Sequence, residues 1–216
     1  MIGRLRSGKW GIALVLALLV VCKGTPPPAT ELPAGPAAEN IDVTQRSAVV
    51  FSAIIDYGSA FMENKPPDGA LLTRLEGPAL DSGTQIFESQ FVIRERAYTV
   101  DLEAGEYLLV GLYRRDPQRR TFFFFSDLDL ERLRVRTETG KMAVIGDLRV
   151  RPTSLIARQL GPLQTHYWRL LYAPTTGPLP ATLTIMALRN EPRHLEYVRT
   201  QARQDLATSP WLRLLN

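Results

Sequence analysis

The chain has 216 residues, of which 45% are hydrophobic and 22% are charged, a balance that is typical of a globular protein with one sizeable domain. The formal net charge is +4, but Arg4, Arg6 and Lys9 precede the first acidic residue, which leaves 23 of the 26 basic residues against 22 acidic ones. A nearly neutral remainder lacks the basic footprint that nucleic-acid binding requires, so nucleic acid is excluded as the expected partner. The single cysteine, Cys22, excludes an intramolecular disulfide and any multi-cysteine metal site.

The first 21 residues have the organisation of a bacterial signal peptide. The basic residues Arg4, Arg6 and Lys9 are followed by an uninterrupted apolar run of 12 residues, 10–21. A helix needs about 20 apolar residues to cross a bilayer, so this run has the length of a signal segment rather than of a permanent span.

The end of the apolar run carries a second signal. Leu19-Val20-Val21-Cys22 resembles the lipobox of bacterial lipoproteins, in which the cysteine receives a diacylglyceryl group and becomes the first residue after cleavage. Val21 departs from the pattern, because the family places Gly, Ala or Ser before the cysteine. The resemblance implies lipid attachment at Cys22, and the alternatives are an ordinary secretion signal cut after Gly24 or an uncleaved anchor.

A proline-rich stretch follows the cysteine. Residues 24–40 contain no aromatic residue and cannot bury enough apolar surface to fold, so residues 22–40 are predicted to be a tether between membrane and domain. Lys23 stands where enteric lipoproteins that stay in the inner membrane carry Asp, which favours the outer membrane.

From residue 41 the pattern changes to short apolar or alternating runs separated by Gly, Pro, Asp and Asn. These runs predict strands over residues 47–57, 70–75, 85–94, 98–102, 106–113, 121–126, 130–136, 142–150, 164–172 and 181–188. Strands at this spacing point to a sandwich or barrel, and we expect an all-β, mainly antiparallel β-sandwich over residues 41–188.

Two of the predicted hairpins align with each other without a gap. Gly105 corresponds to Gly140, where a tight turn needs positive φ, and Gly111 corresponds to Gly146, where a bulge or a close backbone approach is expected. The segments YTVDLEAGEYLLVGLY and GKMAVIGDLRV resemble uncharacterised Gram-negative lipoproteins and transthyretin-like or carboxypeptidase-regulatory-like β-sandwich domains. This resemblance covers roughly residues 47–152 and implies a fold and an envelope location, but no catalytic residues.

The chain ends in a predicted amphipathic helix within 189–216, the only helix expected. Asn190 can cap it, Pro192 suits its first turn, and Trp211 is expected to act as an apolar plug after its end. Apolar residues recur at helical spacing at Leu195, Val198, Ala202 and Leu206. One face of the helix is therefore expected to pack on the sandwich.

Motifs for catalysis or metal binding are weak in this sequence. The two histidines, His166 and His194, have no cysteine or second histidine at a metal-binding spacing, and no G-x-S-x-G motif is present. Asp127, Asp129 and Glu131 alternate and would share one face of a strand, where a solvated face is favoured over a Ca²⁺ site. We predict no catalytic, cofactor or metal site.

The sharpest charge cluster lies between two predicted strands, at a hairpin tip with Asp116-Pro117 at the turn. Its arginines could contact lipid phosphates, anionic glycans or an acidic partner, and a solvated loop is the alternative. The phenylalanines 122–125 follow, and at least two of them must be buried by another element, by the terminal helix or by a partner. The predicted partner surface consists of Arg114, Arg115, Arg119, Arg120, Phe122 and Phe124.

These patterns predict a lipid-anchored binding or accessory module of the bacterial cell envelope, without catalytic activity, that contacts a protein or an anionic envelope component. An envelope hydrolase that uses carboxylate chemistry and a periplasmic carrier of a small ligand are the alternatives.

Overall fold

The computed structural model describes residues 42–59, 63–117, 119–154, 160–171 and 180–215, all of which belong to one compact unit. Strands make up 49% of the described residues, so the prediction of a mainly β fold is confirmed. The predicted signal segment, Cys22 and the tether lie outside these ranges. No helix within them is long and apolar enough to cross a membrane.

Ten strands lie within the described residues: β1 (Ser47–Ile55), β2 (Gly69–Leu75), β3 (Gly83–Glu88), β4 (Phe91–Ile93), β5 (Arg96–Leu102), β6 (Gly105–Asp116), β7 (Arg119–Phe125), β8 (Arg134–Thr137), β9 (Met142–Ser154) and β10 (Ala181–Arg189). The same ranges contain three α-helices: α1 (Asp127–Leu130), α2 (Pro162–Leu171) and α3 (Pro192–Asp205). Short 3-10 helices occupy Val43–Gln45, Glu131–Leu133 and Pro210–Leu215.

The strands form one mixed sheet with the order β3-β2-β6-β7-β10-β9-β1-β5-β4, and β8 also pairs with β6. Most neighbours are antiparallel, as predicted. The pairs β1–β9 and β7–β10 are parallel. Because parallel neighbours cannot be joined by a tight hairpin, these two pairs connect strands that are distant in sequence.

Strand β1 is buried on both faces, which accounts for its nearly continuous apolar sequence. On one face, Val49, Phe51 and Ile55 join a large apolar cluster that also contains residues of β2 and β6. Strands near the two ends of the strand order therefore share one core. On the other face, Ala48 and Val50 join a second cluster, to which α3 and the 3-10 helix after it contribute.

The predicted amphipathic helix is present as α3, with Pro192 in its first turn. Its N-cap residue is Glu191 rather than the predicted Asn190. Val198, Ala202, Leu206 and Trp211 are buried in the second cluster, whereas Leu195, the first residue of the predicted face, is only partly buried.

A buried ion pair fixes the end of α3 to the sheet. Arg96 of β5 donates from Nε and Nη2 to the carboxylate of Asp205 at 2.6 and 3.0 Å. The hydroxyl of Tyr98 donates to the same carboxylate at 2.6 Å. The side chains of Arg96 and Asp205 are each only 3% exposed, and each charge is neutralised by the other.

The prediction of a strand over residues 164–172 is wrong, because residues 164–171 belong to helix α2. Asp127 lies at the start of this helix, where its carboxylate accepts the backbone N–H of Leu163 at 3.3 Å. Gln164 donates its side-chain amide to the backbone oxygens of Phe124 and Phe125 at 3.2 and 3.0 Å. Helix α2 therefore packs beside the end of β7.

The acidic segment 127–131 is also not a strand. It forms α1 and the start of a 3-10 helix, and its carboxylates point to different partners. Asp129 accepts the hydroxyl of Ser126 at 2.8 Å and the backbone N–H of Ile185 at 3.1 Å. These acidic groups therefore join elements of the fold instead of lining one strand face.

The two aligned hairpins differ at their first glycine. Gly140 adopts a φ of +73°, as predicted for a tight turn, whereas Gly105 does not have positive φ. At Gly146, φ is +136° and a Cβ atom would lie 2.6 Å from the backbone oxygen of Arg189. The expected close backbone approach at this position is confirmed.

Candidate functional site

The predicted arginine tip is a β-hairpin formed by the ends of β6 and β7, with Arg115 opposite Arg120 and Asp116 opposite Arg119. Arg119 is the most open of the arginines that form ion pairs here, with 73% of its side chain exposed and 3.9 Å between its Nε and Asp116. The hairpin thus brings the four predicted arginines to one tip.

Two of these arginines are engaged by neighbouring carboxylates. Arg114 donates to the backbone oxygen of Pro66 at 2.7 Å and to Asp68 at 3.2 Å. Arg120 donates from Nη1 to both carboxylate oxygens of Glu88 at 3.0 and 2.9 Å and lies over the ring of Tyr113. These contacts tie the hairpin to its neighbours, and Arg115, Arg119 and Arg120 are all exposed.

The apolar part of the predicted partner surface is not exposed. Phe122 and Phe124 retain 6% and 1% of their accessible surface, and their rings lie 5.9 and 6.1 Å from that of Trp168 on α2. Phe123 and Phe125 are also buried, so all four phenylalanines belong to the core. The reason is that α2 covers the face of β7 that a partner would otherwise have to cover.

A second group of arginines lies where β1 ends beside β9. Because β1 and β9 run in parallel with Ile55 opposite Val150, Asp56 reaches two arginines that alternate along β9. Oδ2 of Asp56 accepts hydrogen bonds from Nε of Arg149 at 3.2 Å and from Nη2 of Arg151 at 3.0 Å. One carboxylate therefore holds two guanidinium groups on the same face of the strand.

The carboxylate of Asp56 is itself held in place. Its Oδ1 accepts the backbone N–H of Gly58 at 2.8 Å, and its side chain is 8% exposed. This N–H and the guanidinium of Arg151 stabilise the charged form and lower the pKa of Asp56 from its ordinary value. Gly58 has a φ of +64°, and a Cβ atom there would lie 3.2 Å from Nε of Arg151, so glycine allows this close approach.

The two arginines open onto a cleft of about 640 Å³ between β1, β9 and β10. Arg189, which is 61% exposed, lies on its other side with Asp147 at 4.0 Å, and the half-exposed Met186 adds an apolar contact. The lining contains three arginines and two aspartates, so the cleft carries a net positive charge. Nε of Arg151 is buried and has no hydrogen-bond partner among the described residues.

Tyr57 follows Asp56 directly. Burial raises the pKa of Tyr57, the charges of Asp116 and Asp68 act in the same direction, and the charge of Arg114 opposes them. We refer to Arg149, Arg151 and Arg189, with Asp56 beneath them, as the arginine cleft.

Sequence reasoning missed the arginine cleft. The alternation Arg149-Val150-Arg151 was the available signal, because it places two cations on one strand face. Their partner Asp56 lies more than ninety residues away and is brought to them by the parallel register of β1 and β9.

The described residues contain no group of three His, Cys, Asp or Glu side chains that could hold a metal ion. His166 has its Nε2 atom 2.9 Å from the backbone oxygen of Gly83, a contact between α2 and β3. The predicted lipid attachment residue, Cys22, lies outside the described residues. No protein-family model, curated protein or solved structure matches the chain.

Proposed function

We propose that the protein is a binding module of the bacterial cell envelope that recognises a phosphate-bearing envelope component through the arginine cleft. The observation that carries this proposal is the pairing of Arg149 and Arg151 on one buried carboxylate, with Arg189 across an open cleft. Asp56 neutralises one of the two guanidinium charges and fixes the orientation of both groups.

The chemistry of the guanidinium group supports an anionic ligand. Each arginine presents five N–H donors in a fixed plane. Asp56 lies within reach of only Nε and Nη2 of Arg149 and Nη2 of Arg151. The donors that remain match the two-point geometry by which arginine binds phosphate. Because the chain after Lys9 is nearly neutral, specificity would come from this local excess of positive charge.

The sequence supports attachment to the envelope. We propose that Cys22 carries the lipid and that residues 22–40 hold the domain away from the headgroups. In this proposal the mixed sheet is a variant of the transthyretin-like β-sandwich, in which strands from both halves of the order enclose the large apolar cluster.

The proposal is tested by titrating the full-length protein, in a zwitterionic detergent, with inorganic pyrophosphate and following the thermal unfolding midpoint. A ligand that binds only the native state raises this midpoint, by an amount that grows with the logarithm of the free ligand concentration above the Kd. We expect a rise at low salt that high salt suppresses, since exposed charges are screened. Arg189→Gln should weaken binding by about tenfold, as expected for a lost hydrogen bond to a charged group.

The matched control is Arg193→Gln, which removes the same charge from an exposed position on α3. Arg189 is preferred to Arg149 or Arg151 for substitution because its loss does not leave Asp56 unpaired. An unchanged midpoint with pyrophosphate, or an equal loss of binding in the two variants, would contradict the proposal.

A further inference from the structure

A second cleft, of about 280 Å³, shares no lining residue with the arginine cleft. It lies between β2 and β3 on one side and the end of β5 on the other. Its wall combines charged and aromatic side chains: Arg46, Arg74, Glu76, Phe87, Asp101 and Glu103.

Asp101 has an unusual backbone conformation at this cleft. Its φ is +59°, in the left-handed region that favours glycine. Ser47 pairs with Leu102 and Val49 pairs with Thr99, so β5 contains one more residue than β1 between these pairs. This is a β-bulge, a feature that often re-aims a side chain next to a functional site, and its left-handed position is usually occupied by glycine.

The ion pair between Asp101 and Arg46 does not stabilise the fold enough to explain why Asp101 adopts this strained conformation. Its carboxylate lies 3.1 Å from Nε of Arg46, and the two side chains are 41% and 39% exposed. Exposed ion pairs contribute little to stability, whereas a left-handed aspartate costs conformational energy. The strained residue therefore places a carboxylate and a guanidinium at the cleft without a corresponding gain in the free energy of folding.

The turn that follows Asp101 is held by several hydrogen bonds. The backbone oxygen of Glu103 accepts hydrogen bonds from the hydroxyls of Ser47 and Tyr107, each at 3.0 Å, and from that of Thr137 at 3.2 Å. This fixes the turn between β5 and β6. The side chain of Glu103 is then paired with Arg74, so a second carboxylate and guanidinium lie beside the first pair.

An aromatic ring completes the cleft. Phe87 is partly exposed and packs edge to face against the buried ring of Tyr107, with 6.0 Å between the ring centroids. Both rings line the cleft, and Phe87 is the more exposed of the two.

We propose that this cleft binds one neutral sugar ring of an envelope glycan. Carboxylate and guanidinium groups side by side accept from and donate to neighbouring sugar hydroxyls, and an aromatic ring packs against the C–H face of a pyranose. The lining residues carry three carboxylates and two arginines, which disfavours an anionic ligand. The volume lies just below the roughly 300–1,000 Å³ of drug-sized sites and suits a single ring.

The test uses the full-length protein in a detergent without a sugar headgroup. Binding of N-acetylchitotriose, maltotriose and galactose is measured by saturation-transfer NMR and titration calorimetry, together with the thermal unfolding midpoint. We expect saturation transfer to at least one of these neutral sugars. Asp101→Gly should weaken its binding by at least about tenfold while the unfolding midpoint stays the same or rises, because glycine relieves the left-handed backbone.

Arg94 supplies a matched control, since it also has positive φ, +56°, and lies outside the lining of the cleft. Arg94→Gly should relieve the backbone in the same way and leave sugar binding unchanged. The proposal is overturned if none of the three sugars shows saturation transfer at millimolar concentration. It is equally overturned if Asp101→Gly binds as well as the wild type, or if Asp101→Gly lowers the midpoint while Arg94→Gly raises it.

Discussion

Arg96 on β5 and Asp205 at the end of α3 form a two-point ion pair whose side chains are almost completely removed from solvent. Removing one member of such a pair leaves the other charge buried and uncompensated. We therefore expect Asp205→Asn to lower the free energy of unfolding by about 3–5 kcal/mol, measured by urea denaturation.

Glu196→Gln on the same helix is the control. Its carboxylate is 55% exposed and pairs at the surface with Arg199 and Arg203, so its removal should change stability little. The triple variant Arg96→Met, Tyr98→Phe and Asp205→Leu removes both buried charges together with the hydroxyl that donates to Asp205, and it should recover most of the loss. A small effect of Asp205→Asn would mean that the pair does not hold α3 in place.

The stability that Asp56 contributes should depend on pH in a defined direction. Because the native contacts lower the pKa of Asp56, its contribution is fully present above the unfolded value of about 3.9 and is lost as the pH falls through the lower native value. Asp56→Asn lacks this contribution. The difference in unfolding free energy between wild type and Asp56→Asn should be constant from neutral pH to about pH 5 and shrink at lower pH.

Denaturant titrations at a series of pH values provide the measurement for Asp56. Asp81→Asn, at an exposed turn position, is the control and should differ little from wild type at neutral pH. A difference between wild type and Asp56→Asn that grows as the pH falls would show that the sign of this argument is wrong.

Trp168 should matter for stability because it covers Phe122 and Phe124. Trp168→Ala removes this cover and opens a cavity beside β7, at an expected cost of about 3 kcal/mol in the free energy of unfolding. The control is Leu128→Ala, where the side chain is 92% exposed and its removal should have little effect. Equal stability of the two variants would argue against the packing of α2 on β7.

The anchoring proposal predicts opposite effects at two neighbouring positions. Val21→Ala restores a small residue before the cysteine and should raise the fraction of processed protein that carries label from a clickable palmitate analogue. Cys22→Ser should abolish this label. Val15→Ala, in the middle of the apolar run, is expected to leave processing unchanged, and label that persists in Cys22→Ser would exclude lipid attachment at Cys22.

The sequence allowed most strands and helix α3 to be predicted, because β-branched alternation and helical spacing are local signals. Helix α2 was missed since its aromatic residues favour strands. The spacing of Leu163, Tyr167 and Leu171 was a helical signal, and Pro162 suited the first turn.

Of the residues in the predicted partner surface, only the arginines could be placed on the molecular surface from the sequence. The arginines of the hairpin follow from a local turn signal, whereas the burial of Phe122 and Phe124 depends on α2, which had been assigned the wrong structure. The contacts of Asp56 with β9 depend on a parallel pairing between distant strands, and no local pattern specifies such a register.

The two parallel strand pairs also constrain the order of folding. Val50 pairs with Val144, and Phe124 pairs with Thr182, so the sheet is completed only when residues far apart in the chain meet. Such non-local pairing slows folding, and a nascent chain that ends before β10 would leave edges of β7 and β9 unpaired and prone to aggregate. This topology therefore favours folding after the whole chain has been synthesised.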